Sequence, residues 1–233
     1  MTEKKKTVSL CLLVMNERRG CEHDVPLIPR EQFDEVFAVD GNSTDGTAEY
    51  LEAAGIPVHP QPEPGYNASY IHAFNMCRSD ALVFFHPKGG IPVEDALKFR
   101  ACFDNGADLV IASRNMAGGH NEEDVHFFRP RKWFVLGLSL LTALLWRRKG
   151  PIAWDVLHGF RGMTAGAFKR IKPLNTGVSI DLEMVARAYR LNLAIEQFPT
   201  SETGRIDGHT HFPALKTGSR LLGYLWRELW RRD

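Results

Sequence analysis

The side chains in this 233-residue chain that could do chemistry are carboxylates, amides and cations, several of which follow a short apolar run. Asp40 ends the run Val36-Phe37-Ala38-Val39 and precedes Gly41-Asn42-Ser43-Thr44-Asp45-Gly46-Thr47. A carboxylate at a strand end can accept hydrogen bonds from a nucleobase N–H or a ribose hydroxyl, while Thr44 or Asp45 suits the cap of a following helix. Asn16 and Glu17 follow the run over residues 8–14 and either hydrogen-bond a nucleotide or close a loop. Arg114 follows the run 108–112, where it binds phosphate or forms a surface ion pair. Residues 81–85 lead into His86-Pro87-Lys88-Gly89-Gly90. Imidazole and ammonium make a poor site for magnesium or manganese, which prefer hard oxygen ligands, and a lone His86 is no zinc site. Lys88 is a cation able to pair with phosphate, as is Arg205 through its fork. Arg129 and Arg131 border a long apolar segment.

These positions need elements to hold them. Residues 7–14, 36–39, 56–59, 81–85, 108–112 and 193–199 read as strands. Helices are expected after Thr44 to about Ala54, within 65–77, over 92–105 and over 178–188. Strands alternating with helices give an α/β class, with the fully apolar runs forming a sheet covered on both faces. Residues 116–124 are glycine-rich and polar, the composition of a loop over a site. Residues 133–146 are apolar all round, end in tryptophan and lie between Arg129-Pro130-Arg131-Lys132 and Arg147-Arg148-Lys149. At 14 residues the segment is too short to span a bilayer, which takes about 20; it is a buried core helix or one lying at a membrane interface. In the C-terminal run, Leu222, Leu225, Trp226 and Leu229 share one helical face with cations beside it.

The chain divides into residues 1–212, one large domain, and 213–233, an amphipathic helix. A net charge of +1 gives no general attraction to nucleic acid. Four cysteines without a C-x-x-C pair, and an apolar run near the start too short for a signal peptide core, point to a cytosolic chain.

Residues 39–47 resemble the V-D-D-G-S-x-D-G-T signature of family 2 glycosyltransferases, with Gly41 in place of the second Asp. Upstream, Asn16-Glu17 matches the N-E that ends the family's first strand. Ser113-Arg114 matches its S-R, and Gly65 with Ala68 the first half of a G-x-x-A helix start. Asp155-Val156-Leu157-His158-Gly159-Phe160-Arg161 resembles the D-x-x-x-G-F-R block of the dolichyl- or polyprenyl-phosphate mannose synthase group. Glu183 also has a counterpart there, and Arg205 to His211 resembles R-x-x-G-x-S-K, with Thr210 for Ser and His211 for Lys. The departure is at residues 86–88, where the family carries the metal-binding D-x-D.

The resemblance spans about residues 8–211. It implies the GT-A fold, a mostly parallel sheet flanked by helices with a nucleotide-binding N-terminal half and an acceptor-binding C-terminal half. It further implies inverting transfer of a sugar from a nucleotide sugar to a polyprenyl phosphate, by a protein peripheral on the cytoplasmic face of the cell membrane. With no metal ligand and no cofactor expected, Lys88 takes over part of the metal's work on the leaving diphosphate. Lys88, Asp155, Arg161 and Arg205 are the expected catalytic residues, Asp155 orienting Arg161 or contacting the sugar. Asn16, Glu17, Asp40, His86, Arg114, Arg129, Arg131 and His211 are the expected substrate-binding residues. The alternative is a scaffold of the same fold that binds nucleotide sugars without catalysis. A sugar nucleotidyltransferase is disfavoured, since no G-x-G-T-R loop follows the first strand.

Overall fold

Apolar runs without polar alternation become strands here because both of their faces are covered. All residues of β1 (Val8–Val14), β4 (Ala81–Phe85) and β5 (Leu109–Ser113) are buried. In the computed structural model, which describes residues 5–206 and 214–231, they join β2 (Glu35–Asp40), β3 (Val58–Pro60), β6 (Arg161–Thr164) and β7 (Ile195–Pro199) in one sheet of order β3-β2-β1-β4-β6-β5-β7. Every pairing is parallel except those of β6, which runs antiparallel between β4 and β5. This is the GT-A architecture implied above.

The period of two along each strand divides the core. Leu10, Leu12, Val83 and Phe85 face one side, which is covered by α1 (Arg18–Asp24), α2 (Thr47–Ala53) and α4 (Lys98–Asp104). Cys11, Leu13, Leu82 and Phe84 face the other, under α3 (Tyr66–Met76), α5 (Pro130–Trp146), α6 (Ala165–Ile171), α7 (Ile180–Arg190) and α8 (Ala214–Trp230). The C-terminal helix packs into that second core through Leu221, Tyr224 and Leu225. Its Glu228 pairs with Arg187 of α7 at 3.1 Å, both side chains almost fully buried.

Three local expectations differ from what forms. The helix expected over 92–105 begins as a 3-10 turn, Val93–Leu97, before α4 starts. The loop 116–124 carries a bridge from His120 to Ser201 and leads into the 3-10 turn Glu122–Val125. Arg161 begins strand β6, where no strand is expected from the sequence.

From β1 the chain winds out to β3 and returns on the other side of β1 as β4. Such a switch opens a crevice between the carboxyl ends of β1 and β4, the usual ligand position in an open α/β sheet. Leu12 pairs with Phe85, so Asn16-Glu17 and His86-Pro87-Lys88 emerge beside one another at that crevice.

Candidate active site

At the β1 and β2 side of the crevice, two loops are stitched together. The Asn16 side chain accepts the Thr44 N–H (2.8 Å), and the Asn16 N–H donates to the Ser43 hydroxyl (2.9 Å). The Glu17 N–H donates to Thr47 (3.0 Å). Asp40 accepts both the N–H and the hydroxyl of Ser43, so the carboxylate that ends β2 also fixes its own turn. Asp45 accepts the N–H groups of Arg18 and Thr47, the first residue of α2, but the N-cap position falls on Gly46, so neither Thr44 nor Asp45 is the cap expected. Gly41 meets Met15: a Cβ there would lie 3.2 Å from two side-chain atoms of Met15. The room that the family's second Asp would need is therefore partly filled.

Across the crevice, the loop bearing His86 and Lys88 is clamped from two sides. Gly89 adopts φ +71°, the left-handed region, and its N–H donates to the buried Asp24 of α1 at 2.9 Å. Gly20 of α1 presses so closely on the Pro87 carbonyl that a Cβ would come within 2.1 Å of its oxygen. From above, the Thr203 N–H donates to Gly90 (2.8 Å) and the Ile206 N–H to Lys88 (3.1 Å), which lays Arg205 over the loop. Burial, and then the neighbouring Arg205, draw the Lys88 ammonium down to about 8 against the opposing pull of Glu17, Glu202 and Asp181. His86 is held well below its ordinary range by burial and by Lys88, and its Nε2 has no partner. It is a neutral imidazole at physiological pH.

A cavity of about 760 Å³ opens beside this loop. Its lining combines His86 and the charged Lys88, Arg114, Arg131, Lys132, Arg205, Glu122, Glu123, Asp181 and Glu202 with the apolar Phe134, Val135, Leu157, Leu221 and Leu222. Arg114 is gripped by Asp155 through two bonds (2.8 and 3.0 Å) and is also bonded by Glu202. Burial works against that charge, yet the two carboxylates outweigh it and raise the guanidinium's pKa above its ordinary value. Burial likewise opposes the charges of Asp155 and Glu202, and Arg114 holds both below the usual carboxylate range. His158 lies beside them with Nδ1 on the Ala112 carbonyl, and burial with Arg114 holds it at about 4.

Asp155 thus orients Arg114, a correction to its expected pairing with Arg161. Arg161 is fully buried because it starts a strand in mid-sheet. It donates to the carbonyls of His158 (2.7 Å) and Asp181 (2.6 Å) and lies 3.1 Å from the Asp181 carboxylate. Its remaining Nη2 is buried without a hydrogen-bond partner, and the side chain is not part of the cavity lining. Arg129 is bound to Asp124 and the His126 carbonyl, whereas Arg131 lines the cavity and reaches Glu122 at 3.2 Å. His211 lies outside the described residues.

The structure therefore gathers His86, Lys88, Arg114, Arg131 and Arg205 at one cavity. It sets Asn16, Glu17 and Asp40 in the adjoining stitched loops and places Arg161, Asp155 and Arg129 behind or beside the wall. Two further residues escaped the sequence. Asp181 lines the cavity and accepts from the hydroxyls of Tyr66 (3.0 Å) and Tyr70 (3.1 Å); burial raises its pKa against the pull of Arg161. Asp24 supports the Lys88 loop from below. The only sequence signal for Asp181 was its position three residues after Val178 at a helix start.

The residues at the loop do not fit a hard divalent cation. Imidazole and ammonium stand there, and of the carboxylates lining the cavity Glu202 is paired with Arg114, Asp181 with Arg161 and Glu122 with Arg131, while Glu123 accepts the Lys132 N–H. Among the described residues no cluster of three or more His, Cys, Asp or Glu could hold a metal ion.

The family model described as Glycosyl transferase family 2 matches residues 27–172. Glycosyltransferase AglJ of Haloferax volcanii is 26% identical over 204 residues, which cover 87% of this chain and 64% of that protein. The chain therefore spans less than two thirds of that relative's length. Among solved structures, glucosyl-3-phosphoglycerate synthase from Mycobacterium tuberculosis in complex with Mn2+, uridine-diphosphate and glucosyl-3-phosphoglycerate superposes with a TM-score of 0.72 at 18% identity. The match covers 98% of this chain and 81% of that one. The same enzyme with Mn2+, UDP-glucose and phosphoglyceric acid gives 0.73 at 20%, with the same coverage. At this identity the likeness shows a shared fold.

Proposed function

As the chain belongs to glycosyl transferase family 2, we propose that it moves one sugar from a nucleotide sugar to a polyprenyl phosphate at the cytoplasmic face of the cell membrane, with inversion and without a metal. The observation that carries this reading is a single cavity whose lining combines the cations Lys88, Arg131, Lys132 and Arg205 with the apolar Phe134 and Val135 of α5 and Leu221 and Leu222 of α8. The donor lies at the β1/β4 crevice, with its nucleoside held by Asn16, Glu17 and Asp40 and its diphosphate toward Lys88 and Arg205. An oxygen of the acceptor phosphate attacks the anomeric carbon as the bond from that carbon to the diphosphate breaks. The departing nucleoside diphosphate takes the electron pair.

A phosphate is already an anionic nucleophile at neutral pH and needs little general-base help. The barrier lies in stabilising the leaving diphosphate and in alignment. Lys88 and Arg205 supply positive charge from two segments bonded to each other, at the loop where the family pattern carries D-x-D. Arg131, also in the cavity lining, meets the acceptor phosphate on this reading.

The membrane part of the reading rests on surface chemistry. Among the described residues, all large exposed hydrophobic side chains except Met15, Leu27 and Leu97 lie on residues 125–145 or 222–230. Exposed Arg148, Lys149, Arg220 and Arg227 border them. That combination suits an interface with anionic headgroups. No helix among the described residues is long and apolar enough to cross a bilayer.

A second reading is favoured by Asp181. A carboxylate facing the cavity with its pKa raised by burial could take the proton of a hydroxyl, as transfer to a small phosphorylated acceptor such as phosphoglyceric acid would require.

The deciding experiment offers a panel of labelled nucleotide sugars with either a polyprenyl phosphate or phosphoglyceric acid, in parallel arms with excess EDTA and with manganese. Equal incorporation into lipid in both arms is expected. Incorporation only with manganese overturns the role given to Lys88, and product only from phosphoglyceric acid moves the second reading ahead. Donor binding without product in any arm favours a non-catalytic scaffold.

A further inference from the structure

Two apolar stripes start at the cavity and run away from it. On α5, Phe134 lines the cavity, and the exposed positions continue from it at helical spacing through Leu141 and Leu145, flanked by Leu140 and Leu144. On α8, Leu222 lines the cavity, and the exposed positions continue through Trp226, Leu229 and Trp230. The helices touch at the mouth, where a Cβ on Gly218 would lie 3.4 Å from the Phe134 ring. At about 1.5 Å per residue the stripes extend roughly 12–16 Å beyond the mouth. Leu144 is 83% exposed and Trp230 72%, so the apolar surface is continuous from the cavity wall to solvent.

From this we infer that the cavity has a lateral exit between α5 and α8, a binding groove for the hydrocarbon tail of the acceptor, with Phe134, Gly218 and Leu222 at its mouth and Leu141 and Trp226 along it. The inference rests on the lipid-phosphate reading above and adds where the tail lies and which side chains select for its length. The occupant follows from the side chains available to it. An anionic head belongs beside Lys88, Arg131 and Arg205 of the cavity lining, and what continues outward meets the exposed aliphatic and aromatic side chains of the two stripes, with the exposed cations Arg220 and Arg227 interspersed along α8. A soluble acceptor would fill the cationic end and leave the stripes bare. A long-chain isoprenyl phosphate covers both.

The test compares transfer to a long polyprenyl phosphate and to a short, freely soluble prenyl phosphate, both in detergent solution so that vesicle binding plays no part. The quantity read is the ratio of the two kcat/KM values. The wild-type protein is expected to favour the long chain. Leu141→Glu and Trp226→Glu, both at exposed positions where folding tolerates polarity, should each lower the ratio about tenfold, the equivalent of losing contact with about two methylenes of tail. Leu27→Glu, at an exposed position outside both stripes, should leave it alone. A wild-type ratio near one, or a ratio unmoved by Leu141→Glu and Trp226→Glu while both acceptors are still used, overturns the groove. An unmoved ratio together with conversion of a dimer to monomers assigns the stripes to a subunit contact instead. If wild-type protein uses neither acceptor, the lipid-phosphate reading itself has failed and the groove goes with it.

Discussion

Lys88 carries the sharpest prediction, because its function and its contribution to stability have opposite signs. Its ammonium titrates at about 8 instead of 10.5, chiefly through burial and then through Arg205. That difference disfavours the charged form by about 3 kcal/mol. Below pH 8 both the folded and unfolded chains hold the proton, so the whole penalty is present. Between 8 and 10.5 the unfolded chain binds more protons, so stability rises with pH and the penalty vanishes. Lys88→Met, which keeps the stem and removes the charge, should therefore stabilise the protein at pH 7 by up to about 3 kcal/mol in urea unfolding, with the gain shrinking above pH 8. The same change should lower turnover by about 10²–10³, the usual loss when one preorganised group facing developing negative charge is removed.

Donor binding gives an independent reading. Free protein carries the Lys88 charge in about nine molecules in ten at pH 7 and about one in ten at pH 9. A bound diphosphate favours the charged form, so the nucleoside diphosphate should bind with proton uptake, its affinity falling up to about tenfold per pH unit above 8. Calorimetry in two buffers of different ionisation enthalpy measures that uptake directly, and Lys88→Met should abolish it. Affinity that stays flat from pH 7 to 9.5, or a Lys88→Met protein with wild-type turnover, refutes the assignment of this ammonium to the leaving group.

Asp24→Ala should lower kcat about tenfold with little change in donor affinity, because the Gly89 N–H loses its partner and the Lys88 loop its support; Asp24→Asn, which keeps an acceptor oxygen, should recover most of it. Glu228→Ala should destabilise the fold by about 1–3 kcal/mol in urea unfolding, since the buried Arg187 guanidinium loses one of its two carboxylates and keeps only Glu183 at 3.3 Å with the Ile171 and Lys172 carbonyls, and Arg187→Met combined with Glu228→Leu should restore much of that loss. Leu144→Glu or Trp230→Glu should reduce sedimentation with anionic vesicles, and added salt should weaken the wild-type binding as well.

What could be read from the sequence was what local pattern determines. Residues 81–85 and 108–112 read as buried strands because every position is apolar, and Asp40 to Thr47 reads as a strand-to-helix turn because its side chains bond only to near neighbours in the chain or to the next loop. Strand β6 was missed because Arg161-Gly162-Met163-Thr164 has neither alternation nor an apolar run; its place in mid-sheet is imposed by β4 and β5 on either side. Arg114 was correctly set at a strand end, but its partners Asp155 and Glu202 are 41 and 88 residues away, and no periodicity links positions so far apart. Arg161 reads as a catalytic cation because its block resembles the family's, whereas burial commits that cation to backbone carbonyls.

The loop at residues 86–90 shows why the chemistry of a site can be read from sequence while its mechanics cannot. The missing carboxylates were visible at once, and they imply a second loss. A bound cation would also tie the loop to the diphosphate and fix its shape, so on the proposed reading a lysine acting in its stead must be positioned by the protein alone. The support comes from three places. Gly20 and Asp24 lie below on α1, Gly89 takes a left-handed conformation that points its N–H at Asp24, and Thr203 and Ile206 bond across the top. None of these residues is charged toward the crevice, and each alone looks like ordinary loop or helix sequence. Only their meeting around Lys88 assigns them a purpose. It also explains why Arg205 stands where it does: the backbone bonds that hold the loop down carry the second cation over the first.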